Sequence, residues 1–308
     1  MQNLAIALHG GAGTITPASM TPELEKAYKK TLSHALDQSY QVLEKGGSAL
    51  DAVELAVVLL EDSPLFNAGR GSVFTKEGKH EMDAAIMCGK TLEAGAVSGV
   101  RSIRNPVRLT RAILEHSDHV FLSGYGAEEF ARKYKIDFEP EEYFYDQLRY
   151  KQWREVRDTD IFILDHSQER KFGTVGAVAR DANGDLAAAT STGGMTNKNY
   201  NRIGDSPLIG AGTYANNKTC AISCTGHGEY FIRSVVAYDV SCLMEYKGYT
   251  LQEACDEVVM DKLVKFGGEG GLIAVDGTGE LALPFNSEGM YRAYRSQGQE
   301  GKVAIYKD

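Results

Sequence analysis

The first part of the chain alternates between short apolar runs and longer amphipathic stretches. The run at 4–8 predicts a β-strand that leads into a glycine-rich turn at 9–13. A helix is predicted from Thr21, an N-cap followed by proline at the first helical position, to the glycine pair at 46–47. The run 49–60 is hydrophobic on nearly all sides, which predicts a buried helix. Further along, the pattern predicts two strands and then two helices, at 82–88, 94–100, 106–116 and 126–134.

The segment from about 137 to 173 breaks this pattern. It is dense in Glu, Asp, Arg and Tyr, contains the only tryptophan (Trp153), and keeps neither helical nor strand periodicity for long. A connection of this length within a compact domain is usually functional or disordered. We therefore expect an exposed, mobile linker between two structured regions.

After residue 174 the pattern changes to hairpins. Apolar runs at 175–180 and 186–191 flank an Asn-Gly pair, which is a strong signal for a β-hairpin. A second hairpin is predicted around the Asp-Gly pair at 276–277, and two helices are predicted between the hairpins, at about 229–246 and 250–265. Strand and helix blocks joined by antiparallel hairpins favour an α+β fold in which helices cover antiparallel sheets.

Composition excludes several classes of protein. The 308 residues allow one large domain or two ordinary ones, and no run approaches 18 apolar residues, so no membrane span is predicted. The net charge of −9 argues against binding to nucleic acid or to a membrane surface, because both call for basic patches. The first residues resemble a β-strand more than a signal peptide, and five cysteines in mostly apolar contexts fit reduced thiols. We therefore expect a cytoplasmic protein.

A threonine at the start of the first hairpin is the leading candidate nucleophile. Thr174 follows Gly173 and precedes the apolar run at 175–180. A threonine hydroxyl is a poor nucleophile without an adjacent base, and the α-amine of an N-terminal threonine can be that base. The hypothesis is therefore self-cleavage between Gly173 and Thr174, after which one residue supplies both nucleophile and base. The alternative is a strand that happens to begin with Gly-Thr.

Four further polar clusters combine glycine with polar side chains at loops or strand ends: 66–71 with Asn67, 191–194 with Thr192, 201–207 with Arg202 and Asp205, and 224–229 with Thr225. Antiparallel pairing within the hairpin can bring Thr192 close to Thr174. The alternatives are a surface ion pair for Arg202 and Asp205, a turn-capping role for Asn67, and ordinary strand positions for the threonines.

Six motifs together carry a resemblance to a known family. They are His-Gly-Gly-Ala-Gly at 9–13, Phe-Asn-Ala-Gly at 66–69, Gly-Thr-Val-Gly-Ala-Val-Ala at 173–179, Ser-Thr-Gly-Gly at 191–194, Gly-Asp-Ser-Pro at 204–207 and Thr-Gly-His-Gly-Glu at 225–229. In this order they resemble the plant-type asparaginases, also called isoaspartyl peptidases, which belong to the N-terminal-nucleophile hydrolases. The resemblance covers about 4–136 and 172–295, and it leaves out the linker and the extreme C-terminus.

The resemblance implies a four-layer αββα sandwich that is made as a precursor and cleaves itself. The products would be an α subunit, 1–173, whose end is the linker at about 137–173, and a β subunit, 174–308, that begins at the nucleophile. Together the two subunits would form one domain. The resemblance also implies assembly as a dimer of cleaved αβ pairs, which is a heterotetramer.

The same resemblance assigns roles in the hydrolysis of L-asparagine and β-aspartyl dipeptides. Thr174 would attack the side-chain amide carbon and form a β-aspartyl ester, while Thr192 orients its hydroxyl. Thr225, through its hydroxyl, and Gly226, through its backbone N–H, would form the oxyanion hole. Asn67 would contact Thr174 from the other side and help to position the attacking water.

Substrate binding is assigned to Arg202 and Asp205, together with Gly226 and Gly228. Arg202 would hold the substrate α-carboxylate and Asp205 its α-amine, since a guanidinium fork suits a carboxylate and a carboxylate suits an ammonium. A substrate that lacks either group would leave a charge of the site unpaired. The site is therefore expected to select a free aspartyl head group.

The family also binds Na⁺ through the backbone carbonyls of a loop, and it uses no organic cofactor. The matching positions here are Leu60, Glu61, Ser63, Phe66, Ala68 and Arg70. Carbonyl oxygens suit a hard cation of this kind.

Two histidines and two alternative functions complete the interpretation. His227, one residue beyond the proposed oxyanion hole, is a candidate determinant of leaving-group preference, and His9 is expected to form structural hydrogen bonds. One alternative is a glycosylasparaginase-type hydrolase, which shares the fold and the nucleophile. The other is a homologue that never cleaves itself and serves as a binding or assembly module.

Overall fold

The computed structural model describes residues 3–158 and 173–307, and the strands of these residues form two sheets. In chain order the strands are β1 (Ala5–Gly13), β2 (Met82–Cys88), β3 (Ala94–Val100), β4 (Phe121–Ser123), β5 (Val175–Arg180), β6 (Leu186–Thr192), β7 (Thr213–Ala215), β8 (Cys220–Gly226), β9 (Gly270–Asp276), β10 (Leu281–Ala282), β11 (Gly289–Ser296) and β12 (Lys302–Tyr306). The larger sheet has the order β12-β11-β1-β5-β6-β2-β3-β4, and the smaller one has the order β10-β9-β8-β7. Neighbouring strands are antiparallel except β3 and β4, which are parallel.

Helices pack on both sheets. They are α1 (Pro22–Glu44), α2 (Ala49–Glu61), α3 (Pro106–His116), α4 (Gly124–Lys133), α5 (Glu141–Phe144), α6 (Gln147–Val156), α7 (Gly228–Ser234), α8 (Val236–Lys247), α9 (Leu251–Asp256) and α10 (Leu263–Phe266). Helices α1, α2 and α3 contact strands of the larger sheet, whereas α8 and α9 contact strands of the smaller one. Among the described residues, no helix combines the length and the apolar character that crossing a membrane requires. The mixture of antiparallel sheets and covering helices confirms the predicted α+β class.

The two sheets contact each other through the strands that lead to the candidate nucleophile. Successive side chains of a strand point to opposite faces of its sheet. In β1, Ile6 and Leu8 therefore pack with α1 and α2, whereas Ala5 and Ala7 face the smaller sheet. The facing side chains of β9 include Ile273. Small alanines on one sheet let the larger side chains of the other approach closely, so β1 and β5 lie next to β8 and β9.

Local sequence signals explain the elements that were predicted. The Thr21 hydroxyl accepts a hydrogen bond from the Leu24 backbone at 3.2 Å and caps α1. Ser48 caps α2 in the same way, with a capping box to Asp51. The hairpin of β5 and β6 turns at the predicted Asn-Gly pair, where Gly184 has a φ of +82°. These predictions, together with the strands and helices placed between 82 and 134, are confirmed.

Two local expectations are wrong. The glycine-rich turn expected at 9–13 is the second half of β1, which continues to Gly13 with irregular pairing between His9 and Ala12. The single helix expected at 229–246 is two helices, because Val235 takes a left-handed conformation with a φ of +50° between α7 and α8. The helix expected at 250–265 is present, with a π-helical turn at Glu257–Lys262.

The expectation of a segment without regular structure from 137 onwards is also wrong as far as residue 158. This stretch contains α5 and α6, and their aromatic side chains pack against the loop after α2. Phe144 is buried, the ring of Trp153 lies 5.7 Å from that of Phe74, and a side chain on Gly78 would press against Trp153. Because most residues of this segment are polar, its composition did not reveal the few aromatic residues that anchor α5 and α6. Residues 159–172 of the expected linker lie outside the described residues.

Candidate active site

The hairpin of β5 and β6 brings the two leading threonines together. Thr174 lies directly before β5 and Thr192 ends β6, next to the pair Val175 and Ser191. Both threonines are buried. The Thr174 hydroxyl donates to Thr192 Oγ1 at 3.3 Å, and the Thr192 hydroxyl donates to the Gly173 carbonyl oxygen at 2.9 Å. The contact between Thr174 and Thr192 that hairpin pairing predicted is therefore present. Thr192 also contacts the carbonyl group of Gly173, which belongs to the predicted scissile peptide.

Asn67 holds the turn that follows Thr192. Its amide nitrogen donates to the Gly194 carbonyl oxygen at 2.7 Å, and its amide oxygen accepts from the Val73 backbone at 3.0 Å. A side chain at position 173 would collide with Asn67, so Gly173 is pressed against it. Asn67 thus packs on Gly173 and holds this turn, and no hydrogen bond of the described residues joins it to Thr174. Its role in positioning the attacking water stays a prediction.

Thr225 and Gly226 end β8, a strand that the sequence pattern did not predict. Ser223 and Thr225 are two residues apart and therefore point toward the same face of the strand, the face that meets β1. Thr225 Oγ1 accepts a hydrogen bond from the Ala12 backbone at 3.2 Å. Because a hydroxyl both donates and accepts, this leaves the Thr225 proton available to a ligand. Gly226 pairs with Gly270, and a side chain on Gly226 would collide with the neighbouring backbone of β9.

Arg202 has a partner that the sequence analysis did not assign. Its Nε and Nη2 atoms donate to the two carboxylate oxygens of Glu229, both at 2.8 Å. The alternative of a surface ion pair between Arg202 and Asp205 is thus not what the structure has. Glu229 belongs to the Thr-Gly-His-Gly-Glu motif, and its place at the N-terminus of α7 was the signal that could have identified it.

Asp205 is a buried carboxylate with unused hydrogen-bonding capacity. Burial raises its pKa to about 7, although the nearby Arg202 guanidinium opposes this shift. Its Oδ2 atom has no hydrogen-bond partner among the described residues. A Cβ atom on Gly228 would lie 2.9 Å from both Asp205 Oδ1 and Arg202 Nη2. The absence of a side chain at Gly228 therefore keeps the position between this guanidinium and this carboxylate free of a Cβ atom.

The residues expected to bind Na⁺ lie at the end of α2 and in the loop that follows. Gly69 takes a φ of +51° and packs so closely on the Glu61 carbonyl that a side chain would not fit, and Gly71 packs on the Phe66 carbonyl in the same way. Carbonyl oxygens lining a tightly turned loop are the donor set that suits a hard cation. The Glu61 side chain is buried too; burial raises its pKa to about 8, and it accepts from the Val107 backbone at 3.1 Å.

The two histidines occupy different environments. His227 is partly buried beside the Arg202–Glu229 pair, where Nε2 lies 3.4 Å from a Glu229 oxygen and the ring packs edge-on against Tyr230. His9 is completely buried; its Nδ1 lies 3.1 Å from the Thr174 carbonyl oxygen, and its Nε2 lies 2.9 Å from Ser223 Oγ. His9 thus forms structural hydrogen bonds, as predicted.

Comparison with known proteins agrees with this geometry. Residues 2–305 match a family model described as asparaginase. The chain is 52% identical over 313 aligned positions to the isoaspartyl peptidase of Escherichia coli (strain K12), covering all of this chain and 98% of that protein. It is 41% identical to a probable isoaspartyl peptidase/L-asparaginase 2 of Arabidopsis thaliana, covering all of both chains. The corresponding protein of Danio rerio, named isoaspartyl peptidase/L-asparaginase, is 43% identical and covers 96% of this chain and 93% of its own length. With its threonine pair, its glycine-rich strand end and its full-length match, the chain belongs to the asparaginase family.

Proposed function

We propose that this protein is a self-processing threonine amidohydrolase that hydrolyses L-asparagine and β-aspartyl dipeptides. One observation carries the proposal: a buried carboxylate with an oxygen that is unpartnered among the described residues, Asp205, and the guanidinium of Arg202 both border the position that Gly228 leaves without a side chain. A ligand that carries both an ammonium and a carboxylate would satisfy both groups. The head group of asparagine or of a β-aspartyl peptide is such a ligand.

Self-cleavage would begin at the peptide between Gly173 and Thr174. The Thr192 hydroxyl donates to the Gly173 carbonyl oxygen and polarises that carbonyl. Attack by Thr174 Oγ on the Gly173 carbonyl carbon would break the peptide bond and form an ester, which water then hydrolyses. The products are the proposed α subunit, 1–173, and the proposed β subunit, 174–308.

The freed Thr174 amine would then serve as the general base. Its reference pKa of about 7.7–8.0 lies close to neutral pH, which suits a group that accepts and returns a proton. The amine takes the Thr174 hydroxyl proton as the oxygen attacks the substrate's side-chain carbonyl. The available proton of Thr225 and the backbone N–H of Gly226 would stabilise the developing oxyanion. The leaving amine departs with a proton, and water hydrolyses the ester to free aspartate.

The Arg202–Glu229 pair would orient the head group. The Glu229 carboxylate accepts hydrogen bonds from Nε and Nη2 of Arg202, so it fixes the plane of the guanidinium. The remaining nitrogen, Nη1, takes no part in this pair. The substrate α-carboxylate would bind to this oriented guanidinium and the α-ammonium to Asp205. The backbone of Gly226 and Gly228 would contact the head group.

Several finer features extend this proposal. The two contacting sheets and their covering helices support a four-layer αββα sandwich, and we propose a heterotetramer of two cleaved αβ pairs. The turned loop of Leu60, Glu61, Ser63, Phe66, Ala68 and Arg70 would hold a structural Na⁺ through its carbonyls, where the ion would stiffen the loop that carries Asn67.

The five cysteines of the protein are free thiols, which supports a reducing compartment such as the cytoplasm.

Intact-mass spectrometry of wild-type protein, followed by an ammonia-release assay with L-asparagine, tests the proposal. The expected result is two fragments, divided between Gly173 and Thr174, and release of one ammonia per aspartate. β-Aspartyl-leucine should be hydrolysed by the same preparation. An uncut, inactive chain would favour the binding or assembly module, and faster hydrolysis of N-acetylglucosaminyl-asparagine would favour the glycosylasparaginase alternative.

The Michaelis constant for L-asparagine is expected to depend on pH through Asp205. Burial holds the pKa of Asp205 at about 7, and only the ionised carboxylate can accept the substrate ammonium. Below that pH the protonated fraction of Asp205 grows, so the KM for L-asparagine should rise by up to about tenfold per pH unit. The kcat profile reports the enzyme–substrate complex and would instead follow the Thr174 amine. A KM that stays constant between pH 8 and pH 5 would contradict the assignment of Asp205.

A further inference from the structure

A buried chain of hydrogen bonds begins at the backbone of the nucleophile. His9, on β1, places Nδ1 at 3.1 Å from the Thr174 carbonyl oxygen and Nε2 at 2.9 Å from Ser223 Oγ, on β8. His9 and Ser223 are both completely buried. The imidazole therefore bridges the two sheets immediately behind Thr174. No step of the proposed hydrolysis uses this ring.

The chain continues through two more threonines. Ser223 Oγ lies 2.7 Å from Thr190 Oγ1, on β6, and Thr213 Oγ1, on β7, lies 2.6 Å from Thr190 Oγ1. Thr213 Oγ1 is also 2.9 Å from the Ser206 carbonyl oxygen. Ser206 directly follows Asp205, so the chain connects the nucleophile to the loop that would bind the substrate ammonium. We call His9, Ser223, Thr190 and Thr213 the His9 relay.

The protons of the His9 relay can be assigned. A carbonyl oxygen only accepts, so the His9 Nδ1 atom must carry a hydrogen and donate to Thr174. Burial lowers the pKa of His9 to about 3, so the ring is neutral and Nε2 accepts from Ser223. The Ser223 oxygen then accepts from Thr190. The Thr213 hydroxyl has one proton for two acceptors, Thr190 Oγ1 and the Ser206 carbonyl oxygen, so it donates to one of them at a time. The hydroxyls of Ser223 and Thr190 therefore point in one direction, toward His9.

The Gly-Thr-Val-Gly motif leaves space for this relay. Gly176 follows Thr174 by two residues and pairs with His9 across the sheet. A Cβ atom at position 176 would collide with Ser223 Oγ and would lie 2.5 Å from His9 Nε2. The absence of a side chain at position 176 is therefore what allows the hydrogen bond between His9 and Ser223 to pass over β5.

We propose that the His9 relay positions the nucleophile, and that His9 is a positioning residue for self-cleavage and for hydrolysis. This inference rests on the proposed function. The Nδ1–H donor holds the Thr174 carbonyl, which sets the direction of the Thr174 hydroxyl relative to Thr192. The rest of the relay keeps the His9 imidazole in the tautomer and orientation in which Nδ1–H donates to Thr174. A shift of about 1 Å in a reacting group can cost about a hundredfold in rate, so the contact controls kcat more than KM.

Two variants of His9 form a matched pair that separates positioning from packing. The amide nitrogen of His9→Asn can take the place of Nδ1, whereas the amide of His9→Gln takes the place of Nε2. We expect His9→Asn to keep the donor to Thr174 and to retain kcat within about threefold. His9→Gln should lose that donor and lower kcat and the rate of self-cleavage by about 10–100-fold, with KM little changed. Melting temperatures measured alongside should fall to a similar extent in both variants.

Thr190 offers a second pair if the His9 variants do not fold. Thr190→Ser keeps the hydroxyl of the relay, and Thr190→Val keeps the shape but removes the hydroxyl. Thr190→Val should lower kcat by about fivefold, the effect of about 1 kcal/mol, and Thr190→Ser should stay near wild type. Equal kcat for the two His9 variants, or for the two Thr190 variants, would overturn the relay. A wild-type chain that neither cleaves nor hydrolyses would instead overturn the proposed function, and the relay proposal with it.

Discussion

A Thr174→Ala variant is expected to remain a single uncut chain with no measurable hydrolysis of L-asparagine. The hydroxyl that donates to Thr192 is the group that would attack both the Gly173 carbonyl and the substrate. Removing a nucleophile that acts together with its base typically costs about 10⁴-fold or more in kcat. Intact-mass spectrometry reads the cleavage, and an ammonia-release assay reads the hydrolysis.

The matched control for this prediction is Thr174→Ser. Serine keeps the hydroxyl and loses one methyl group, so it should still cleave the chain and turn over L-asparagine at a reduced rate. Both variants should still fold, because the hydrogen bond at stake, from the Thr174 hydroxyl to Thr192 Oγ1, is long at 3.3 Å. A Thr174→Ala preparation that yields the two fragments would remove Thr174 from the mechanism.

An Asp205→Asn variant is expected to lower kcat/KM for L-asparagine by about 30–5,000-fold. An amide of the same shape cannot balance the charge of the substrate ammonium, and losing one partner of a buried charge pair costs about 2–5 kcal/mol. The comparison substrate is succinamic acid, which is L-asparagine without its amino group. Wild-type enzyme should discriminate strongly between the two substrates, and Asp205→Asn should discriminate little. Equal discrimination by both enzymes would show that the ammonium binds elsewhere.

The same substitution should stabilise the substrate-free protein at alkaline pH. Burial raises the pKa of Asp205 above its usual value, so the folded protein holds a proton that the unfolded chain releases. The contribution of Asp205 to the free energy of unfolding therefore falls as the pH rises from the ordinary carboxyl range through about 7. The asparagine side chain of the variant does not ionise, so it makes no such contribution that changes with pH. The melting temperature of Asp205→Asn should exceed that of wild type at pH 8, and the difference should shrink toward pH 5.

The elements that the sequence predicted well depend on contacts between residues near one another in the chain. Helix α1 begins at the Thr21 cap, and the β5–β6 hairpin turns at an Asn-Gly pair whose glycine, Gly184, takes a left-handed conformation. The contact between Thr174 and Thr192 follows from this hairpin, because antiparallel pairing places the start of one strand beside the end of the other. The candidate nucleophile and its hydroxyl partner were therefore predictable without a structure.

Residues far apart in the chain were harder to place. Strand β8 is flanked by polar residues, and its pairing with β9 joins segments about 50 residues apart, so no local pattern marked it. The docked helices α5 and α6 lie in a polar segment, where a few aromatic contacts outweigh the average composition. The six motifs of the resemblance marked these regions as important, yet they did not show which side chains contact one another.

By itself, the sequence determined the family, the α+β class, the helices and hairpins with strong local signals, and the candidate nucleophile with its neighbouring hydroxyl. Only the tertiary structure decided that Arg202 pairs with Glu229, that Asp205 is buried with an unpartnered oxygen, and that His9 reaches Thr174 and Ser223 at once. The physical reason is the packing of two sheets against each other. Burial sets the charge of Asp205 and His9, and the distance between β1 and β8 sets the hydrogen bond that joins them.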